Sequence, residues 1–599
     1  MSKRLASLLA AVMAVAALGV AFATGSSSGA TLPMDVFPYA GTPTAMPTTQ
    51  ISFRGQPPAS ITGVQVTGSQ SGAHTGQLKP HSDGNGASFL PDRPFTEGEQ
   101  VSVSTALPLT GAVDGKVTFT IAKLLHPAPP DPPPAVDPGG HPKDEQHFRS
   151  RKDLRPPRVK VLKRTSASQP GQTFVGPKAG PGQDGSQIVD SKGRTLYFKP
   201  VPSTTSSFDF RAQKYQGKPV LTWWQGVVGF GKGYGFGLIY DQAYKRVARV
   251  AAGNGYKVDL HEFLITDRDT ALINVYQPVE WELSSVGSKN GRAFDSILQE
   301  VDIKTGLVMY EWHSLGQVDI KESFVPGAAL KAGAVYDYMH INSAQLLDSG
   351  NYLISGRNTA AIYELDGHTG AVKFRLNGKK SDYAMGAGTP FLGQHDARRQ
   401  ADGTISLYDN GFIAPAPAPS HESRGLVLKL DDAAKTATLV KAYTHTPSIK
   451  AQSQGSTQKL PNGNFLIGWG GAVPFVTEYN AAGDVVWEGQ YRPEGDDSYR
   501  AFRLDWEGSP SRPPDIFAQR GKRKTVVYAS WNGATEVAKW QVLAGQSRKS
   551  LSPVRRSRWK NFETKIGAGR APRYVRVQAL DSSGKVLGTS KIYKPKRAK

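Results

Sequence analysis

Short runs in which apolar and polar residues alternate, each roughly four to eight residues long and bounded by Gly, Pro, Asn or Asp, dominate this chain and predict strands rather than helices. Between Thr31 and Lys123 they read ITGVQVTG, ASFLPDRPF, QVSVSTALPL and KVTFTIAK. That spacing predicts a small immunoglobulin-like β-sandwich over residues 31–124. The proline run HPAPPDPPPAVDPGGHP from His126 cannot join a core and, with the basic stretch after it, predicts a linker over 125–170.

From 185 to 519 one unit recurs, a strand, a tight polar turn and a second strand, followed by an outer hairpin. LLDSGNYLISG (346–356), QADGTISLYDNG (400–411) and LPNGNFLIGWGG (460–471) are its clear inner hairpins, and TDRDTALINVY from Thr266 is a degenerate fourth. QEVDIKTGLVMYEW, YELDGHTGAVKFRL and EYNAAGDVVWEGQY are outer hairpins. Such units bury their faces only on their neighbours, which is the pattern of β-propeller blades. Counting LTWWQG with LIYDQAYKRVARV as the first blade and VVYASWNGATEVAKW near the last gives six. Residues 520–599 predict a small C-terminal β domain ending in a basic tail. The fold class is therefore all-β: a six-bladed β-propeller with an N-terminal β-sandwich and a small C-terminal β domain.

Hairpin turns fix which residues face each other, so register follows from the turns. With Ser349-Gly350 as a two-residue turn, positions summing to 699 pair, and Asn342 stands opposite Arg357. His340, two residues before Asn342, shares its face. Imidazole, amide and guanidinium on one patch pack poorly against apolar neighbours and suit an anion. The same arithmetic around Asp402-Gly403 puts His395 opposite Asn410, at the position Asn342 holds one blade earlier. Around Arg268-Asp269 it gives His261 the same offset. Three of the 12 histidines thus converge on one mouth of the propeller, whereas His313, His368, His421 and His445 show no such recurrence.

Composition narrows the chemistry. The 599 residues contain no cysteine, which excludes disulfides, thiolate metal sites and a cysteine-dependent sulfatase. Lys and Arg total 72 against 50 acidic residues, a net charge of +22, but the excess is concentrated in Arg149–Arg164, in RRSRWK from Arg555 and in the terminal KPKRAK. Those runs read as solvated surface or as contacts with an anionic cell envelope, and no nucleic-acid partner is expected. Lys3 and Arg4 followed by the apolar run Leu5–Ala23 predict an export signal over 1–23, with a membrane anchor as the alternative. GFGKGYGFG (229–237) lies among strands, not between a strand and a helix, so it reads as a tightly packed blade and not as a phosphate loop.

The segments DYMHINSAQLLDSGNYLISGRNTAAIYELD, FLGQHDARRQADGTISLYDNG and VDLHEFLITDRDTALI resemble the core motifs of the arylsulfotransferase family, over roughly 185–519. The family resemblance implies a six-bladed propeller with a funnel-like site and transfer of a sulfuryl group from an aryl sulfate to a phenol, without phosphoadenylyl sulfate. It further implies His395 as a transiently sulfurylated nucleophile, with His340, Asn342, Arg357 and His261 holding the sulfuryl oxygens; Asn410, placed opposite His395 by the register, is expected to bind substrate beside them. The disulfide of periplasmic members cannot form in this chain. A sulfuryl group in flight spreads charge over its oxygens, so fixed donors and a neutral imidazole suffice. No metal or cofactor is expected. The alternatives are a non-catalytic propeller that binds glycans or anionic ligands, a sulfatase, and a quinoprotein-like oxidoreductase, the last weakened by the lack of a repeated tryptophan motif.

Overall fold

The computed structural model describes residues 33–125 and 144–597, apart from 181, 415–419, 472, 493–496 and 523. The expected export signal and the proline-rich run lie outside them. Nearly all regular structure is antiparallel strand, and among the described residues no helix is long and apolar enough to cross a membrane.

Two four-stranded sheets come first, one containing Ile51–Arg54 and Gly86–Pro91, the other Gln65–Gly68 and Gln100–Ser104. Their alternating apolar residues, Ile51, Phe53, Val66, Phe89, Val101 and Val103, share one core. Two further four-stranded sheets close the chain, built on Asp515–Arg520 with Thr525–Ser530 and on Lys539–Ser547 with Tyr574–Leu580, around Val527, Trp540, Val542 and Val577.

Between these pairs stand six sheets. The second to fifth are nearly consecutive in sequence, beginning at the inner strands Ser206–Tyr215, Phe263–Ile265, Ile341–Leu346 and His395–Arg399. The sixth begins at Ser456–Lys459 and takes Arg158–Arg164 as its outer edge strand, paired with Val485–Arg492. Val159 and Val161 of that edge strand pack inward towards Trp487. The first sheet is composite: its inner strand, Asp497–Leu504, pairs with Gln172–Lys178, from which Gly185–Val189 and Thr195–Pro200 continue outward.

Three expectations change. The basic part of the predicted linker contributes a strand because Arg158–Val161 alternates charged and aliphatic residues with the period of two that an edge strand needs, and a bulge takes up Leu162 before Lys163 and Arg164. Asp515–Arg520 and VVYASW join the C-terminal sheets instead of the six sheets before them. The sheet they were expected to form is built from Gln172–Pro200 closed by Asp497–Leu504.

Each inner strand has an edge without a strand partner, and side chains of the neighbouring sheet satisfy it. Gln213 Oε1 accepts from the Ile265 amide (2.8 Å), Glu262 Oε2 from Ala344 (3.1 Å) and Gln345 Oε1 from Arg399 (2.8 Å). Asp396 Oδ2 accepts from Thr457 (3.3 Å) and Gln458 Oε1 from Arg503 (2.7 Å). Arg500 of the first sheet then donates to Asp209 of the second (2.9 Å), so the contacts return to their starting point.

A charged cluster fills the axis of this ring. Glu262, with no solvent exposure, accepts from Arg211 (2.6 Å), Arg398 (2.6 Å) and Arg500 (3.1 Å), while Asp209 and Asp396 pair with the same arginines. Three cations meet three anions, and the Arg398 and Arg500 guanidinium groups also donate to the carbonyls of Ala344 and Asn342. Burial pushes the Glu262 carboxyl up, but Arg398, Arg500 and Arg211 outweigh it and hold the group well below the usual carboxylate range.

Candidate functional site

Glu262 and Asp396 each follow a histidine, Glu262 entering its strand and Asp396 turned by a left-handed backbone at φ +54° within a bulge. While the carboxylates face the axial cluster, His261 and His395 face a cavity of 460 Å³, which His340 and Arg357 also line. The ring centroids of His261 and His340 are 4.8 Å apart, and those of His261 and His395 are 6.4 Å apart. Phe208, Leu260 and Tyr499 supply apolar and aromatic wall.

The register that brings these groups together differs from the expected one by one residue. Leu346 pairs with Tyr352 and Gln345 with Leu353, so the pairing sum is 698. The turn is a three-residue loop, Asp348–Gly350, whose last residue sits at φ +84°, the left-handed position that ends such a loop and that glycine takes without strain. The fifth-sheet hairpin closes in the same way with Gly403 at φ +79°, and the third-sheet hairpin with Asp269 at φ +60°. Because all three slip together, the common offset of His261 and His395 is kept.

Asn342 is the casualty. It falls in a bulge between the Ile341–Gly356 and Ser343–Ser355 pairs, so it does not stand opposite Arg357. Fully buried, it donates to the Gln394 carbonyl (2.6 Å) and does not reach the cavity. His340 arrives by a different route from strand alternation, through a left-handed backbone at φ +59° just before the strand. The Arg357 amide donates to the His340 carbonyl (2.9 Å), which seats the two residues side by side. The Arg357 guanidinium donates to Asn358 Oδ1 (2.7 Å) and the Gln452 carbonyl (3.0 Å), and burial lowers its pKa.

Asn410 also lies behind the cavity wall instead of lining it. Its Oδ1 accepts from His395 Nδ1 (2.7 Å), and its amide is spent on the carbonyls of Ala451 and Gln454 (both 3.0 Å), which fixes which end of the amide faces the ring. His395 therefore carries its proton on Nδ1 and keeps Nε2 as an acceptor, now taking the Gln454 amide at 3.2 Å. Burial, then Arg357 and His261, lower its pKa well below the ordinary histidine value, so the ring is neutral at pH 7.

The other two histidines are held by carboxylates. His261 Nδ1 meets Asp259 Oδ1 at 2.5 Å and His340 Nδ1 meets Asp337 Oδ2 at 2.6 Å. The two Nε2 atoms lie 3.2 Å apart, so the rings of His261 and His340 face each other directly. Asp337 Oδ2 also accepts from Lys232 (2.6 Å). Burial raises the Asp337 carboxyl, but Lys232 and His340 hold it far below its usual range. Burial lowers His340 to about 4 against the opposing pull of Asp337.

Asp259, Asp337 and Lys232 escaped the sequence reading. An acid two or three residues before each histidine was the available signal, and Lys232 lay inside the glycine-rich run. That run is a hairpin whose glycines make room for Trp224: a Cβ on Gly233 or Gly235 would stand 2.6 or 2.7 Å from the indole ring.

Residues 211–492, from the second sheet to the sixth, match the arylsulfotransferase (ASST) family. This part of the chain belongs to that family. All four histidine and arginine groups that line the cavity fall inside the match. A comparison with curated proteins gives no match. Among solved structures, a protein of unknown function from Bacteroides caccae is 14% identical, with 56% of this chain and 98% of that one covered and a TM-score of 0.35. Virginiamycin B lyase from Staphylococcus aureus is 10% identical over 66% of this chain and 87% of its own, with a TM-score of 0.24. Likeness at that level does not bear on what the arylsulfotransferase-family site does.

Proposed function

We propose that the protein is an aryl-sulfate sulfotransferase that moves a sulfuryl group from an aryl sulfate to a phenol through a sulfohistidine on His395, without phosphoadenylyl sulfate. The observation that carries this reading is a neutral histidine at the wall of a cavity shared with His261, His340 and Arg357, its Nδ1 proton committed to Asn410 and its Nε2 held by one long contact from the Gln454 amide, which the sulfuryl group would replace. In the first half-reaction Nε2 attacks sulfur, the S–O bond breaks, and the departing phenolate takes a proton delivered through the His261–His340 pair. In the second, the acceptor phenol returns a proton to that pair while its oxygen attacks sulfur and the N–S bond breaks. Arg357 is the donor for the charge that develops on the sulfuryl oxygens. Asn410 orients the nucleophile, and Asn342 ties sheets together.

Incubation with 4-nitrophenyl sulfate alone is expected to release one equivalent of nitrophenol and to add one sulfuryl group to the peptide carrying His395. With a phenol added, rates should follow parallel double-reciprocal lines. Intersecting lines together with full activity in His395→Asn would end this reading.

We further read the six sheets as the six blades of a propeller, the first two sheets as an immunoglobulin-like sandwich, and the last two as a separate C-terminal β domain. Export on the 1–23 signal belongs to the same reading, and N-terminal sequencing of secreted material tests it.

A further inference from the structure

A second cavity, of 590 Å³, lies beside the histidine cavity and shares His340 and Arg357 with it. Its size is that of a small-molecule site. Phe294, Val325, Leu330 and Val335 make an apolar wall, and Lys232 and Asp337 supply polar groups. Asp337 spends Oδ2 on Lys232 and His340, whereas its Oδ1 is buried with no hydrogen-bond partner among the described residues. A buried carboxylate oxygen without a donor is a costly arrangement that a ligand hydroxyl would relieve.

Phe230 forms the rim. It occupies the first position of a two-residue turn between Gly229 and Lys232, with φ +52°, followed by Gly231 at φ +74°. Both turn positions thus require a left-handed backbone, for which asparagine or glycine is the ordinary choice. Here the residue is a phenylalanine, 96% exposed, so it is both strained and unburied. Gly231, its neighbour, lines the histidine cavity, so this one hairpin tip stands between the two spaces.

We propose that the second cavity is the acceptor pocket: it takes the aromatic ring of a neutral phenol under Phe230, with the phenol hydroxyl donating to Asp337 Oδ1 beside Arg357. The proposal rests on the sulfotransfer reading and deepens it by giving the two substrates different places. An aryl sulfate has no hydroxyl to offer Asp337 Oδ1, so the donor is left to the histidine cavity.

The test is calorimetric titration with 2-naphthol, which requires no turnover. The unmodified protein should bind it, Val335→Trp should weaken binding at least roughly tenfold by filling the cavity, and Phe230→Ala about three- to tenfold by removing one aromatic contact. Unchanged affinity in both variants overturns the pocket. Should Val335→Trp fail to fold, Phe230→Ala, at an exposed turn, decides alone. In the kinetic assay, excess phenol should not compete with 4-nitrophenyl sulfate; competitive inhibition by phenol would also overturn the separate pocket. If naphthol binding responds to both substitutions but no aryl sulfate is consumed, the sulfotransfer reading falls, and with it the acceptor role.

Discussion

Replacing Glu262 by glutamine keeps the shape of the side chain and an oxygen for the Ala344 amide, but removes one of three negative charges from a cluster that holds three arginines. Each contact near 3 Å is an attraction of about 5 kcal/mol at an effective dielectric of 20, set against several kcal/mol of desolvation for each ion. The pairs roughly cancel while the set is neutral. Removing one partner leaves a buried positive charge uncompensated, at a cost of about 3–5 kcal/mol, a large share of the roughly 5–15 kcal/mol that keeps a domain folded. Urea unfolding followed by tryptophan fluorescence reads it, since Trp223, Trp224, Trp312, Trp469 and Trp487 are buried in the six sheets. Adding Arg211→Met restores a neutral set, so the double variant should lose at least about 1 kcal/mol less than the two single losses combined. A shift under about 1 kcal/mol for Glu262→Gln would refute the reasoning, as would strict additivity.

Four other outcomes are expected. Because burial, Arg357 and His261 keep His395 neutral, the acid limb of donor turnover should fall well below pH 6.5, towards the value of about 4 at His340; a limb at 6.5 that survives Asp184→Asn, which removes the cavity carboxyl raised by burial to about 6, would contradict this. Asn410→Ala should slow the donor half-reaction roughly 10²-fold by freeing the His395 tautomer, with Asn410→Asp, which still accepts from Nδ1, retaining more of the rate in the same assay. Arg357→Lys should reduce kcat roughly 10²–10³-fold, since lysine lacks the planar fork that can hold two oxygens. His313, although buried, is raised to about 10 by Asp295 and Glu311, so its contribution to stability is complete below pH 6.5 and is lost as the pH rises through 10; melting temperatures between pH 7 and 10 should fall in the native chain and lose that slope in His313→Gln.

Much of this was legible in the chain. The alternation of apolar residues and the repeated Asp-Gly and Asn-Gly turns predicted sheets, and the shared offset of His261 and His395 survived because the same loop type recurs. The one-residue error in pairing came from treating Ser349-Gly350 as the whole turn, where the left-handed glycine instead ends a loop of three. Asn342 was misplaced by a bulge, and bulges leave little trace in a pattern of period two. The composite first sheet was hidden because its strands come from segments more than 300 residues apart, a pairing that no local signal announces. His340 reached the site through a backbone conformation that alternation does not describe.

The pairing of Gln172 with Leu504 also sets an order of events. A nascent chain can form the hairpins of the second to sixth sheets as each one emerges, but the ring stays open until residue 504 is available, and Tyr499, which donates to the His261 carbonyl, arrives only then. Contacts this distant in sequence are slow to form because a long loop must close first. A product truncated before Asp497 would carry all three cavity histidines and still be unable to hold them around one cavity, so a chain cut short in synthesis would be inert rather than partly active.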